Sequence, residues 1–130
     1  MVRIERQYRI STSLKGVSKL VEVEITRSVS NGGIVSYLSK GHADYDGHGK
    51  DIVCAGVSTV TFGTVNSIEA LLGIVPEHTI HEGFLEIIIP EQIKPKTFEQ
   101  VQLLLESMVV MLKSIQESYG EFLTVKETTQ

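Results

Sequence analysis

Only one cysteine, Cys54, occurs in the 130 residues, and there is no tryptophan. A lone cysteine rules out an intramolecular disulfide and suits a reducing compartment. Long apolar runs are missing too. The longest stretch without a charge, Ile52 to Ile68, is interrupted by Gly56, Ser58, Thr59, Thr61, Gly63, Thr64, Asn66 and Ser67. Polarity of that density argues against a membrane span. The N-terminus lacks the apolar core of a secretory signal. The chain is therefore expected in the cytoplasm, with no membrane partner.

What is present is the composition of an ordinary folded chain, 42% hydrophobic and 22% charged. Its length fits one domain with a single real core. Charge is unevenly placed. Residues 1–19 hold Arg3, Arg6, Arg9, Lys15 and Lys19 against Glu5 alone, leaving seven basic and fifteen acidic residues in 20–130. An acidic body does not favour nucleic acid, whose affinity comes largely from phosphate contacts, so no direct nucleic-acid binding is expected. It suits a basic polypeptide partner.

Three parts are expected: an extension at 1–19, one domain at 20–126 and a tail at 127–130. Val21, Val23 and Ile25 alternate with Glu22, Glu24 and Thr26, the pattern of a half-buried strand. Asn31-Gly32-Gly33 is turn chemistry, and Ile34 to Lys40 reads as the returning strand of a hairpin. The glycine-rich stretch Gly41 to Lys50 reads as a loop. Asp51 is an N-cap candidate for a helix that runs to about Leu72. Thr79–His81 and Phe84–Ile89 suggest a second hairpin around Glu82-Gly83. Thr97 with Gln100 makes a capping-box pattern. Val101, Leu104, Leu105, Met108, Leu112 and Ile115 then follow helical spacing up to Gly120. Phe122 to Val125 is a candidate final edge strand. The order ββαββα(β) points to a two-layer α+β domain with an antiparallel sheet and two main helices.

His42, Asp51, Cys54 and Ser58 stand out as a group. If Asp51 caps the helix, Cys54 is at its third position, where unpaired N–H groups and the helix dipole favour an anion. A thiol at a helix start or beside a histidinium ionises more readily, and the thiolate is the attacking species. Those N–H groups can also stabilise the oxyanion of a tetrahedral intermediate. Ser58 lies one turn on, on the same face. The plainer alternatives stay open: Cys54 as a small buried apolar residue, His42 as an idle loop residue, Asp51 as a cap only, Ser58 as packing. A metal is the rival arrangement, since His42, Asp44, Asp46, His48, Asp51 and Cys54 are all ligand types. Their spacing matches no zinc or EF-hand pattern, and His78 and His81 read as polar surface, so no metal or other cofactor is expected.

The run Gly41-His42-Ala43, then Gly49, then Asp51-Ile52-Val53-Cys54-Ala55 resembles the signature of the ribosomal-processing cysteine protease family, Prp. Val57-Ser58 and Asn66-Ser67-Ile68-Glu69 fit as well, and the similarity extends from about Leu20 to Val125. The resemblance implies an enzyme that trims an N-terminal extension from the large-subunit ribosomal protein numbered twenty-seven, cutting after an aromatic pair. It implies Cys54 as nucleophile, His42 as its partner, Asp51 and Ser58 at the site, and a homodimer. Two features depart from the family: residues 1–18 precede its usual start, and Gly56 stands where many relatives have alanine. The glycines at 41, 47 and 49 suggest a mobile loop that brings His42 to the thiolate when substrate binds. A ribosome-associated binding module with a structural cysteine, and a different acyl hydrolase, are the other readings.

Overall fold

The computed structural model describes residues 21–41 and 50–130, with side chains in the second segment from Ile52 onward. The extension at 1–19 lies outside the described residues. Strands β1 (Val21–Arg27) and β2 (Ile34–Lys40) form the expected antiparallel hairpin. Its turn relies on Gly32 at φ 73°, a backbone region that glycine enters without steric cost. Next to it the Asn31 side-chain oxygen accepts from the Gly33 amide at 2.8 Å. A Cβ at Gly33 would sit 2.9 Å from the Phe98 Cζ atom, so a side chain there would force that ring to shift.

Helix α1 (Lys50–Leu72) follows, then β3 (Glu77–His81) and β4 (Phe84–Ile88), helix α2 (Pro95–Tyr119) and β5 (Leu123–Thr129). The sheet order is β3-β4-β2-β1-β5, and both helices cover one face. Alternation along β1 sends Val21, Val23 and Ile25 into the core and leaves Glu22, Glu24 and Thr26 on the open face. On the other strands Tyr37, Leu85, Ile87 and Leu123 complete the buried side. From α1 the core receives Val53, Val57, Phe62, Val65 and Ile68, and from α2 Val101, Leu105, Met108, Val109 and Leu112. No helix among the described residues is long and apolar enough to cross a membrane.

Four details differ from the sequence expectation. The sheet is mixed rather than antiparallel, because β5 pairs with β1 in parallel. The 25-residue α2 carries the chain from β4 across to the far edge, the kind of connection that parallel pairing requires. That strand continues to Thr129, so residues 127–129, expected as a tail, pair with β1. Helix α2 starts at Pro95 rather than at a Thr97 cap, and Lys94 at its N-cap makes no side-chain cap bond. Proline fits that first helical position, where its missing N–H costs nothing. Finally, α1 begins at Lys50, which puts Asp51 inside the first turn instead of at the cap.

Polar side chains fasten α2 to the sheet. The Gln102 amide accepts from the Ile34 N–H at 2.7 Å and donates to its carbonyl at 2.8 Å, standing in for a neighbouring strand. Arg27 donates twice to Glu106 on α2 at 2.6 and 2.8 Å, and once to Glu127 on β5 at 2.9 Å. These bonds hold the Glu106 carboxyl below the usual range. The Lys113 ammonium and then Arg27 do the same for Glu127.

Candidate active site

The position of Cys54 follows from how α1 is laid on β2. Tyr37, 1% exposed on the inner face of β2, donates its hydroxyl to the Thr61 carbonyl of α1 at 2.8 Å. Such a bond answers the rule that a buried tyrosine hydroxyl needs a partner, and it fixes a crossing point between helix and strand. Burial also pushes the Tyr37 phenol up, keeping it a donor at all ordinary pH values. The C-terminus of α1 leads through Gly73, at φ 69°, directly into β3 at the end of the sheet where Glu77 pairs with Ile88. The N-terminus of α1 therefore lies toward the other end, where Lys40 pairs with Phe84 and Phe84 with His81. Seven residues back from Thr61 is about 10 Å along a helix, and four residues on from Tyr37 is about 13 Å along a strand. Both counts run the same way: Cys54 lies on the side of the Tyr37–Thr61 contact toward which β2 ends.

That departure is fixed by Gly41. Its φ of 128° is one that side-chain-bearing residues rarely adopt, and its amide donates to the Gly83 carbonyl at 3.0 Å. Of the three glycines expected in a mobile loop, Gly41 thus has a tethered amide. Gly47 and Gly49, with His42, lie outside the described residues, and so does the side chain of Asp51.

Cys54 is 6% exposed and Ser58 7%, one helical turn apart on the same face. Cys54 is buried alongside Val53 and Val57, which this stretch gives to the continuous apolar cluster. Thr61 bonds back to the Val57 carbonyl at 2.8 Å and Thr64 to that of Val60 at 2.7 Å, which lets α1 bury hydroxyls without orphaning them. With Lys50 at the first helical position, Cys54 is the fifth residue of the helix, two places deeper than the sequence suggested. The helix dipole acts mainly within the first turn, so it favours an anion at residue 54 less than expected. Among the described residues, no three His, Cys, Asp or Glu side chains come together to hold a metal. Local sequence pattern assigns Tyr37 no part in placing the site and marks Gly83 only as a hairpin turn. A single aromatic with a hydroxyl in an otherwise apolar inner row was the available signal for the first; nothing local marked the bond that Gly83 accepts from Gly41.

The domain is α+β, and its single cysteine lies just past the first turn of α1, on the same face as Ser58. The family model described as cysteine protease Prp matches residues 20–124, and the chain belongs to that family, a class of cysteine proteases. The chain is similar to the ribosomal processing cysteine protease Prp of Bacillus subtilis strain 168, with 39% identity over 108 residues, covering 82% of this chain and 96% of the relative. Two crystal structures are also similar, both of an essential ribosomal processing protease Prp from S. aureus. One, in complex with a substrate peptide, has a TM-score of 0.73 at 32% identity and covers 83% of this chain and 99% of the other. The second carries a covalently linked product peptide, with a TM-score of 0.71, 33% identity and the same coverage.

Proposed function

We propose that this chain is a cytoplasmic endopeptidase that matures a ribosomal protein, with Cys54 as its nucleophile. The observation that carries the reading is the match of residues 20–124 to the cysteine protease Prp family, in a chain whose one cysteine is Cys54. The finer substrate is the N-terminally extended large-subunit ribosomal protein numbered twenty-seven, from which the extension is removed. The S. aureus relative with a covalently linked product peptide supports covalent catalysis, since a nucleophilic thiol forms such a link.

In this mechanism His42 accepts the thiol proton and the Cys54 thiolate adds to the scissile carbonyl. The C–N bond breaks as the His42 imidazolium protonates the leaving amine, giving an acyl-enzyme. Water, deprotonated by His42, then releases the new carboxylate and restores the thiol. Because Cys54 lies beyond the first helical turn, His42 carries most of the activation. Asp51 orients His42 or the helix start, and Ser58 bonds the substrate or the thiolate. The loop bearing Gly41, Gly47 and Gly49 delivers His42 on substrate binding, and the working unit is a homodimer. No cofactor takes part.

The burial of Cys54 is the one observation on the side of a merely structural cysteine. Alkylation rates against pH separate the two: an activated thiol reacts fast with an acid-shifted profile, and an inert core thiol slowly without one. The deciding experiment incubates the chain with the extended ribosomal protein. Cleavage by the wild type, lost in Cys54→Ala and His42→Ala, is expected; cleavage that survives Cys54→Ala refutes the assignment.

A further inference from the structure

The sheet has two edges, and they are finished differently. At one edge, β5 is bound up with cations: Lys126 reaches Glu22 at 3.3 Å, and Lys113 bonds Glu127 at 2.7 Å. Charges of this kind blunt an edge against pairing with another chain. At the other edge, β3 reads Glu-His-Thr-Ile-His, and only one of its five residues is not exposed. From Asp51 to Ile93 the chain has six carboxylates, Asp51, Glu69, Glu77, Glu82, Glu86 and Glu91, and no Lys or Arg. On β3 and β4, Glu77 pairs across with Ile88 and Thr79 with Glu86, so the two carboxylates are diagonal neighbours on the open face. Among the described residues no cation pairs with either. They border a groove of about 530 Å³ whose apolar lining is Val75, Pro76 and Ile88, with Val75 63% and Ile88 42% exposed.

We infer that the β3 edge with this groove is a docking strip for an extended basic segment of the substrate, outside the residues that are cut. The inference rests on the proposed function, for a ribosomal protein that must neutralise RNA phosphates is rich in Lys and Arg. Charge complementarity selects the occupant: the two carboxylates across a strand attract a cationic chain and disfavour pairing with the same strip of a second copy. Geometry connects the strip to the chemistry. The His81 end of β3 adjoins the Gly83–Gly41 bond at the loop end of the sheet. A strand added along β3 therefore starts at the loop end of the sheet, runs about 17 Å and ends in the groove, drawing on main-chain bonds for affinity and on Glu77 and Glu86 for selectivity.

The test measures binding apart from cleavage. Fluorescence anisotropy with the labelled extended ribosomal protein, on full-length Cys54→Ala, is compared with the same chain carrying Glu77→Gln and Glu86→Gln. The expected result is a roughly three- to tenfold weaker Kd at low salt, with the difference closing as salt rises. In the Cys54 background, KM for the ribosomal protein rises by the same factor, and KM for a short peptide spanning the cut stays constant. Equal affinity with and without the two carboxylates overturns the docking strip. So does an equal effect on the short peptide, which would put the carboxylates at the active site. Should the effect vanish once Arg3, Arg6 and Arg9 are changed to Gln, the strip holds the chain's own basic segment and the substrate assignment is overturned. Salt-sensitive docking without cleavage supports the strip and refutes only the protease reading of this chain.

Discussion

Helix α2 holds the sheet with an apolar stripe of Val101, Leu105, Met108, Val109 and Leu112, while α1 covers the same face with threonines, glycines and a cysteine among its apolar residues. The helices are similar in length, 25 and 23 residues, and differ in what they give up. In α2 every buried position is apolar, and its polar side chains clamp the sheet, Gln102 bonding Ile34 on β2 and Glu106 bonding Arg27 on β1, which also holds Glu127 on β5. In α1, Ser58, Thr61 and Thr64 are buried, and Gly56 and Gly63 occupy the interior. Each glycine costs a helix interior about 1 kcal/mol relative to alanine. One helix is built for stability; the other carries Cys54 and accepts poorer helix formers.

The sharpest way to break that contrast is a pair of substitutions with opposite signatures. Cys54→Ala is expected to abolish peptide cleavage, by at least about 10³-fold in kcat, as loss of a covalent nucleophile does. Its urea midpoint should move less than that of a large core truncation, because the change removes a single sulfur atom from a buried position. Leu105→Ala, fully buried in α2, is expected to lose about 2–5 kcal/mol in urea unfolding with kcat per folded molecule unchanged. If Cys54→Ala destabilises as much as Leu105→Ala, residue 54 is core and the contrast is lost.

A smaller effect is expected where the two regions meet. Tyr37→Phe removes the bond to the Thr61 carbonyl and should cost about 1 kcal/mol, the worth of a typical buried hydrogen bond. Since that bond registers α1 on β2, kcat should fall as well. A loss of stability with no change in kcat would show that the crossing point does not position Cys54.

The ion-paired side of the molecule should respond to acid. The carboxyls of Glu106 and Glu127 titrate below their usual range because Arg27 and Lys113 bond them. The unfolded chain therefore binds more protons than the folded one in the acid range, and stability rises with pH there. That contribution is complete above a normal glutamate pKa of about 4.3 and is lost as pH falls through the lower folded values. Thermal unfolding from pH 6 to pH 3 should show a falling Tm, with a shallower fall in Arg27→Gln. The pairs are partly exposed, so added salt should shrink the difference. An identical pH slope in both proteins would remove the clamp from the account.

Much of this division was legible in the sequence. Alternation in Val21–Thr26, the Asn31-Gly32-Gly33 turn and the helical spacing of Val101–Leu112 are local signals, and the structure follows them. The parallel placement of β5 was not legible, since Leu123–Thr129 carries no mark of which neighbour it joins; the crossing of α2 decides that. The start of α2 was misread because Thr97 and Gln100 form a capping pattern that Pro95 pre-empts two residues earlier. At the site, Cys54 and Ser58 on one face followed from their spacing. Their placement toward the end of β2 depended on the Tyr37–Thr61 bond, a contact across 24 residues that no local pattern encodes.

The mildest test concerns the glycines of α1. A Cβ built at Gly63 meets nothing within 4 Å, and its backbone is helical, so Gly63→Ala should fit without strain. The gain expected from helix propensity and lower unfolded-state entropy is about 0.5–1 kcal/mol. At Gly56 the new methyl would lie 3.4 Å from the Ile115 Cδ1 atom on α2, so Gly56→Ala should gain less, part of the benefit going to a small shift of that side chain. Urea midpoints should therefore rank Gly63→Ala above Gly56→Ala above the wild type, with cleavage rates unchanged for Gly63→Ala, nine residues along the helix from Cys54. If Gly63→Ala stabilises the fold but lowers kcat, the glycine serves motion of α1 during turnover, and the difference between the helices extends from their packing to their dynamics.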